Sequence, residues 1–198
     1  KDGYAIQDVD GNHVAKTVSV IDWNMEDAQK GGYPHFMLKE IMEQPEGIAD
    51  TMRGRFGKKE GEVKLGGLEA VRDRLQKIER VHILGMGTAY LAGLVGEYLI
   101  SEYARVPTDT DPASEFRYRS PIISEKTAYL FVSKSGETPD TLGALRELKR
   151  QGGLCLGVIN VVGSSVAREV DAGLYNHVGP EIGVASTKAF TSELTLLA

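Results

Sequence analysis

The sequence predicts an α/β fold: a five-stranded parallel sheet with helices on both faces, preceded by a small β segment and a linker helix. Three observations predict it. From Leu68 onward, short apolar runs alternate with helical stretches, the order that a parallel sheet with crossover helices requires. Ahead of Leu68 the pattern is different, with alternating residues around Asp10-Gly11 and then a glycine-punctuated polar stretch. Three loops that come after predicted elements, 85–89, 133–138 and 179–187, are rich in Gly, Ser and Thr. In open parallel sheets ligands bind at the carboxyl ends of the strands, where such loops gather.

Composition sets the limits. The chain has 198 residues, enough for one domain and additional material. Its net charge of −5 offers no broad basic face, so neither nucleic acid nor an anionic membrane surface is an expected partner. An anion would have to be held locally, by amides and hydroxyls. The single cysteine, Cys155, excludes an internal disulfide, and its apolar neighbours mark it as a packing residue. No long apolar span or signal peptide is evident, and a cytoplasmic location is the expectation.

In order, Tyr4–Val9, the turn Asp10-Gly11-Asn12 and Val14–Trp23 read as short strands of a hairpin. A hairpin this small does not stand alone, so residues 1–30 look like the end of something larger. Gly31-Gly32-Tyr33-Pro34 punctuates the chain. His35–Arg55 then reads as a helix interrupted by Pro45, and His35 as a linker histidine making an ordinary hydrogen bond. The glycines from Gly54 to Gly67, with Lys58, Lys59 and Glu60 among them, read as a flexible connection. The main boundary is therefore set at Leu68. A helix is expected over Leu68–Arg80 and a buried strand over Val81–Leu84. After the turn Gly85-Met86-Gly87-Thr88, a helix runs over Ala89–Tyr103. Arg105–Thr110 reads as the second strand, Ser114–Arg119 as a short helix and Ala128–Val132 as the third strand. Helix Pro139–Gln151, strand Leu154–Val161, a short helix Ser164–Val170, strand Leu174–Val178 and helix Thr187–Ala198 complete the pattern.

The most informative stretch is Val132-Ser133-Lys134-Ser135-Gly136-Glu137-Thr138-Pro139. It sets hydroxyls and a glycine on a tight turn between a strand end and a helix start. Thr138 suits the N-cap and Pro139 the first helical position. Helix-start amides and the positive end of the helix dipole converge there, which favours an anion, phosphate first among them. The same residue types also build ordinary helix-capping turns, and composition alone leaves both readings open. A rival ligand is suggested by Gly85-Met86-Gly87, with Asp109 and Asp111 where a ribose-binding acid of a dinucleotide site would fall. The third glycine of that fingerprint is replaced by Tyr90, so the match is partial.

Several motifs resemble those of the glutamine–fructose-6-phosphate aminotransferase family. They are Ser133–Thr138, Ala113-Ser114-Glu115-Phe116-Arg117-Tyr118-Arg119, Glu181–Phe190, Asn160–Ser165, and Gly31–Met37 continued by Glu43-Gln44-Pro45. The resemblance implies three parts: residues 1–30 as the last strands of a glutaminase domain, 31–67 as an interdomain linker, and 68–198 as the first sugar isomerase (SIS) subdomain, a flavodoxin-like three-layer sandwich. It implies a sugar phosphate, fructose 6-phosphate or glucosamine 6-phosphate, as the ligand. Ser133, Ser135 and Thr138 would hold the phosphate, with Lys134 lining the same pocket. Thr88 and Ala89 would flank the sugar, and Val184 and Ala185 would approach it from the 181–187 loop. The partners implied are a second SIS subdomain, the glutaminase domain and a second subunit in a homodimer. No cofactor and no metal is implied.

Three positions depart from the family pattern. Met86 and Ala89 replace the cysteine and serine of a Cys-Gly-Thr-Ser run, and Lys134 stands where the family commonly has glutamine. They leave room for a divergent aminotransferase or deaminase paralogue, or for a non-catalytic SIS module that senses a phosphosugar. In the family the Schiff-base lysine and the tuned base come from parts outside this stretch. Glu137 and Glu181 are read as loop-shaping groups and Lys188 as a helix-face cation, and no catalytic residue is expected here. The fragment alone is accordingly expected to be inactive. The apolar faces of helices 89–103 and 187–198 exceed what one small sheet can cover, so some of that surface is expected to meet a partner.

Overall fold

The computed structural model describes residues 5–15, 29–57 and 59–198. Its elements in chain order are α1 (Phe36–Met42), α2 (Gln44–Met52), α3 (Arg72–Leu75), β1 (Arg80–Gly85), α4 (Thr88–Leu99), β2 (Thr108–Pro112), α5 (Ala113–Tyr118), β3 (Thr127–Ser133), α6 (Pro139–Arg150), β4 (Leu154–Ile159), α7 (Ser165–Glu169), β5 (Ala172–Tyr175) and α8 (Lys188–Leu197). The five strands form one sheet in the order β2-β1-β3-β4-β5, and every pairing is parallel. The direction of winding reverses between β1 and β3. A crevice opens at such a reversal because the two flanking crossovers leave to opposite faces.

Alternation along β3 explains the three layers. Tyr129 and Phe131 point to one face, into a core with Phe116 of α5, Ala144, Leu145 and Leu148 of α6, and Val166 of α7. Val132 points to the other, against Ala89 and Ala92 of α4 and Leu197 of α8. Both faces of the central strands are covered, so β3 and β4 are apolar almost throughout rather than alternating. Phe131 is fully buried, and truncating such a ring to alanine typically costs about 3–5 kcal/mol. Cys155 lies in the same layer, and burial pushes its thiol up to about 12, so it packs and does not react.

Element limits differ most from expectation in three places, each for a local reason, and the strand expected over Leu154–Val161 ends at Ile159. The expected helix Leu68–Arg80 is a 3-10 turn over Gly66–Val71 followed by the single turn of α3. Arg80 is drawn into β1, where it pairs with Thr127. At the other end, Gly67 lies so close to the Gly173 carbonyl that a Cβ would collide with it. The expected strand Arg105–Thr110 starts only at Thr108. The helix runs on as a π turn over Ile100–Ala104, and Arg105 stops it in the left-handed conformation (φ 56°). Pro107 then has no N–H for the ladder. The expected strand Leu174–Val178 begins earlier, at Ala172, and ends at Tyr175. Beyond it, Asn160 takes over: its side chain accepts from Val178 N (3.1 Å) and donates to Gly179 O (2.7 Å).

Pro45 does divide the helix expected over His35–Arg55, opening α2 in its first turn. Of the N-terminal hairpin, residues 5–15 show the turn: Gln7 bridges His13 antiparallel, and Asp8 accepts the amides of Asp10 and Asn12 (2.9 Å each). The strand expected over Val14–Trp23 falls largely outside the described residues. Among the described residues no helix is long and apolar enough to cross a membrane.

Candidate functional site

A cavity of about 430 Å³ opens at the β1/β3 reversal, beyond the strand ends. The eight residues singled out in the sequence, Thr88, Ala89, Ser133, Lys134, Ser135, Thr138, Val184 and Ala185, all line it. They come from three separate stretches: the first turn of α4, the end of β3 with the turn that follows it, and the loop before α8. Five further lining residues are not marked as ligand contacts by the sequence: Met86, which stands out there only as a departure, and Gly87, Val132, Thr141 and Ser186. Thr141 sits in the first turn of α6, where the orphan amides also are. Its hydroxyl is buried and has no partner. An unpaired hydroxyl on a residue lining a cavity at a helix N-terminus can donate to an anion.

The 133–138 turn is shaped by its own serines. Ser133 Oγ accepts from Gly136 N (3.0 Å), and Ser135 Oγ accepts from Glu137 N (3.2 Å). Each hydroxyl keeps its own hydrogen to donate. Gly136 is required: its φ is +63°, and a Cβ would run into the Ser164 hydroxyl. Thr138 is the N-cap of α6 by position, yet its side chain makes no cap bond to the helix. Glu137 turns away from the cavity and accepts from Ser165 N (2.7 Å), tying the turn to α7. That bond holds its carboxyl below the usual carboxylate range.

The charge in the wall is organised around Lys134. Its Nζ lies 3.3 Å from Glu181 Oε2 and donates to Gly183 O at 3.3 Å. Burial alone would push the Glu181 carboxyl up. The Thr187 amide, the Ser186 hydroxyl, the Ala189 amide and Lys134 together outweigh that and hold it low. Behind this pair lies Glu193 of α8, only 1% exposed, with neither carboxylate oxygen hydrogen-bonded. Burial, then the charge of Glu181, raise it to about 8, while Lys134 works the other way. Both acids read as loop-shaping, Glu137 and Glu181, do shape loops. Lys188, read as a helix-face cation, is instead buried and paired with Glu43, between α1 and α2, at 2.7 Å.

Among the described residues, Lys134 is the sole ionisable side chain lining the cavity. An array of hydroxyls with one cation and no carboxylate or imidazole in its lining can bind and orient an anion.

A second cavity, about 540 Å³, lies at the opposite ends of the strands, around Arg80, His82, Lys126 and Tyr129. Its two cations are already matched, Arg80 with Asp109 and Lys126 with Glu79 at 2.6 Å, and His82, which burial holds below the usual imidazole range, is hydrogen-bonded through Nε2 to Asp111 at 3.1 Å. The smaller cavity is therefore the better anion site. The pairings also remove the dinucleotide reading, because Asp109 and Asp111 serve the edge strand and do not line the β1/β3 crevice.

Residues 74–198 match the SIS domain. The chain belongs to the SIS domain family. It is similar over all its length to the glutamine–fructose-6-phosphate aminotransferases of Chlorobaculum tepidum (50% identity) and Thermus thermophilus (50% identity). It spans 32% of each of those relatives. Among solved structures, the C-terminal domain of the Francisella tularensis glucosamine-fructose-6-phosphate aminotransferase superposes with a TM-score of 0.80 at 40% identity, covering 85% of this chain and 47% of that one. A glucosamine-6-phosphate deaminase from Thermotoga maritima shares the SIS fold, with a TM-score of 0.63 at 24% identity over 82% of this chain and 48% of that one.

Proposed function

We propose that this chain is the sugar-phosphate-binding part of an enzyme that converts fructose 6-phosphate and glutamine to glucosamine 6-phosphate and glutamate. The observation that carries the reading is the convergence of Ser133, Ser135, Thr138, Thr141 and Lys134 on one cavity at the N-terminus of α6. Four hydroxyls and a cation suit the oxygens of a phosphate dianion, and charge-assisted hydrogen bonds are the strong kind. With the phosphate fixed there, the sugar extends toward Thr88, Ala89, Val184 and Ala185. Binding energy at the remote phosphate then orients the carbons that react, which is the positioning share of catalysis.

The chemistry itself falls to other parts of the intact enzyme. Glu137, Glu181 and Lys188 are each committed to structural partners. The chain alone therefore catalyses neither glutamine hydrolysis nor sugar amination. In this reading residues 1–30 end a glutaminase domain, 31–67 link it to the SIS unit, and a second SIS subdomain and a second subunit complete a cytoplasmic homodimer. α8 is covered by α2 and α4. Leu91, Val95 and Tyr98 of α4 stay exposed and supply the apolar surface for such a partner.

A cavity lined by hydroxyls and one lysine also suits a sensor module, and one titration series addresses both readings. Calorimetry with fructose 6-phosphate, glucosamine 6-phosphate, unphosphorylated fructose and NAD should give heat with the two phosphosugars only. Binding of NAD, or equal binding of fructose and its phosphate, would contradict the assignment. Steady formation of glucosamine 6-phosphate by the chain alone, from fructose 6-phosphate and ammonia, would contradict the division of labour.

A further inference from the structure

The 181–187 loop forms one wall of the cavity, yet it has little to fold around. Val184 at its tip is fully exposed. Its conformation is imposed by three carboxylate- or lysine-centred clamps. Glu181 gathers the loop's far end, accepting from Thr187 N (2.8 Å) and Ala189 N (3.2 Å). Lys134 reaches over from the phosphate turn to the Gly183 carbonyl. The third clamp comes from far away in sequence. Glu40 of α1, only 2% exposed, accepts from Ile182 N at 2.6 Å and from Gly183 N at 3.0 Å through Oε1, with Oε2 a further 3.1 Å acceptor for Gly183 N. Gly183 is fitted to this carboxylate, since a Cβ there would strike Glu40 Oε2.

A buried carboxylate is costly unless it is hydrogen-bonded, and these two consecutive amides supply the bonds. The dependence is mutual. Without Glu40 the two amides would be left without these acceptors, and the loop would need another arrangement to satisfy them. The docking of α1 is reinforced nearby: Glu43 holds Lys188 (2.7 Å) and Lys39 (3.2 Å), Thr51 donates to Asn176 O (2.6 Å), and Arg55 donates to Tyr175 O (2.7 Å). The segment that reads in sequence as a spacer thus reaches the wall of the cavity.

We infer that Glu40 is a positioning residue for the sugar-facing wall: its carboxylate holds the Ile182 and Gly183 amides so that Val184 and Ala185 stand over the sugar and not over the phosphate. The inference rests on the sugar-phosphate reading of the cavity. It separates two parts of the ligand. The phosphate is held by the 133–141 turn and helix start, which Glu40 does not touch. The sugar meets the loop that Glu40 does hold.

The test compares fructose 6-phosphate with inorganic phosphate by calorimetry on the full chain, in the wild type, Glu40→Ala, Glu40→Gln and Glu43→Gln. Glu40→Ala should weaken fructose 6-phosphate by roughly tenfold or more while inorganic phosphate changes by less than about twofold. Glu40→Gln keeps an acceptor oxygen and the side-chain volume, so it should fall between. Glu43→Gln loosens the same helix without touching the loop. It should lower the melting temperature and leave the ratio of the two affinities unchanged, which separates positioning from general softening. The amide resonances of Ile182 and Gly183 should move in both Glu40 variants. Equal losses for the two ligands, unchanged sugar-phosphate affinity in Glu40→Ala, or unmoved Ile182 and Gly183 amides would overturn the role of Glu40 and leave the pocket reading standing. A wild-type chain that binds neither ligand would overturn both.

Discussion

Glu193→Gln isolates the electrostatic cost of one buried acid. The Glu193 carboxyl is enclosed, lacks hydrogen-bond partners and faces the charge of Glu181, and it is raised from 4.5 to about 8. The unfolded chain ionises this group near the ordinary value, whereas the folded chain keeps the proton. Between those two values the folded state binds more protons, so its stability falls as pH rises. The fall is absent below the unfolded value and complete above about 8. A shift of this size corresponds to about 5 kcal/mol, a large part of a typical domain's stability. Glutamine cannot ionise, so the variant lacks this slope. Urea unfolding of both proteins at a series of pH values from roughly 5 to roughly 9 reads the difference directly. The gap should widen in favour of the variant as pH rises, then level off. Parallel profiles would refute the reasoning, because Glu193 would then be ionised at the same pH in both states.

Three further perturbations test the site and its support. Gly136→Ala forces a Cβ into a left-handed turn and against Ser164; it should cost about 2 kcal/mol or more in thermal or urea unfolding and abolish phosphate binding by calorimetry. Lys134→Gln removes the cavity's one cation. Phosphosugar affinity should fall roughly tenfold at low salt, and its dependence on ionic strength should flatten. Lys188→Ala leaves Glu43 without its buried partner. Glu43 is itself a quarter exposed (26%), so urea unfolding should show a loss of about 2 kcal/mol, below the 3–5 typical of a fully buried pair.

The parts of this molecule that are legible in the sequence are those governed by local chemistry. Ala128–Val132 and Leu154–Val161 read as strands because buried parallel strands are apolar on both faces. The turn at Ser133–Thr138 and its neighbours at 85–89 and 179–187 are recognisable by their position after a strand, and the fold brings all three to one cavity. The errors arise where a distant partner decides. Arg80 reads as the end of a helix until Thr127 pairs with it. Lys188 reads as a surface cation because Glu43 is 145 residues away. Glu40 carries no signal in the sequence, since its partners are two backbone amides of a remote loop. Thr141 is hidden for a subtler reason: a threonine in the first turn of a helix is common, and only burial without a partner marks it out.

The proposed function depends above all on an anion being held at the start of α6. Amide resonances followed by NMR during a titration with inorganic phosphate would test that most directly. Shifts should concentrate in residues 133–141, with Lys134 and Thr141 among the largest. Shifts concentrated instead around Arg80, His82 and Lys126, at the opposite ends of the strands, would contradict it.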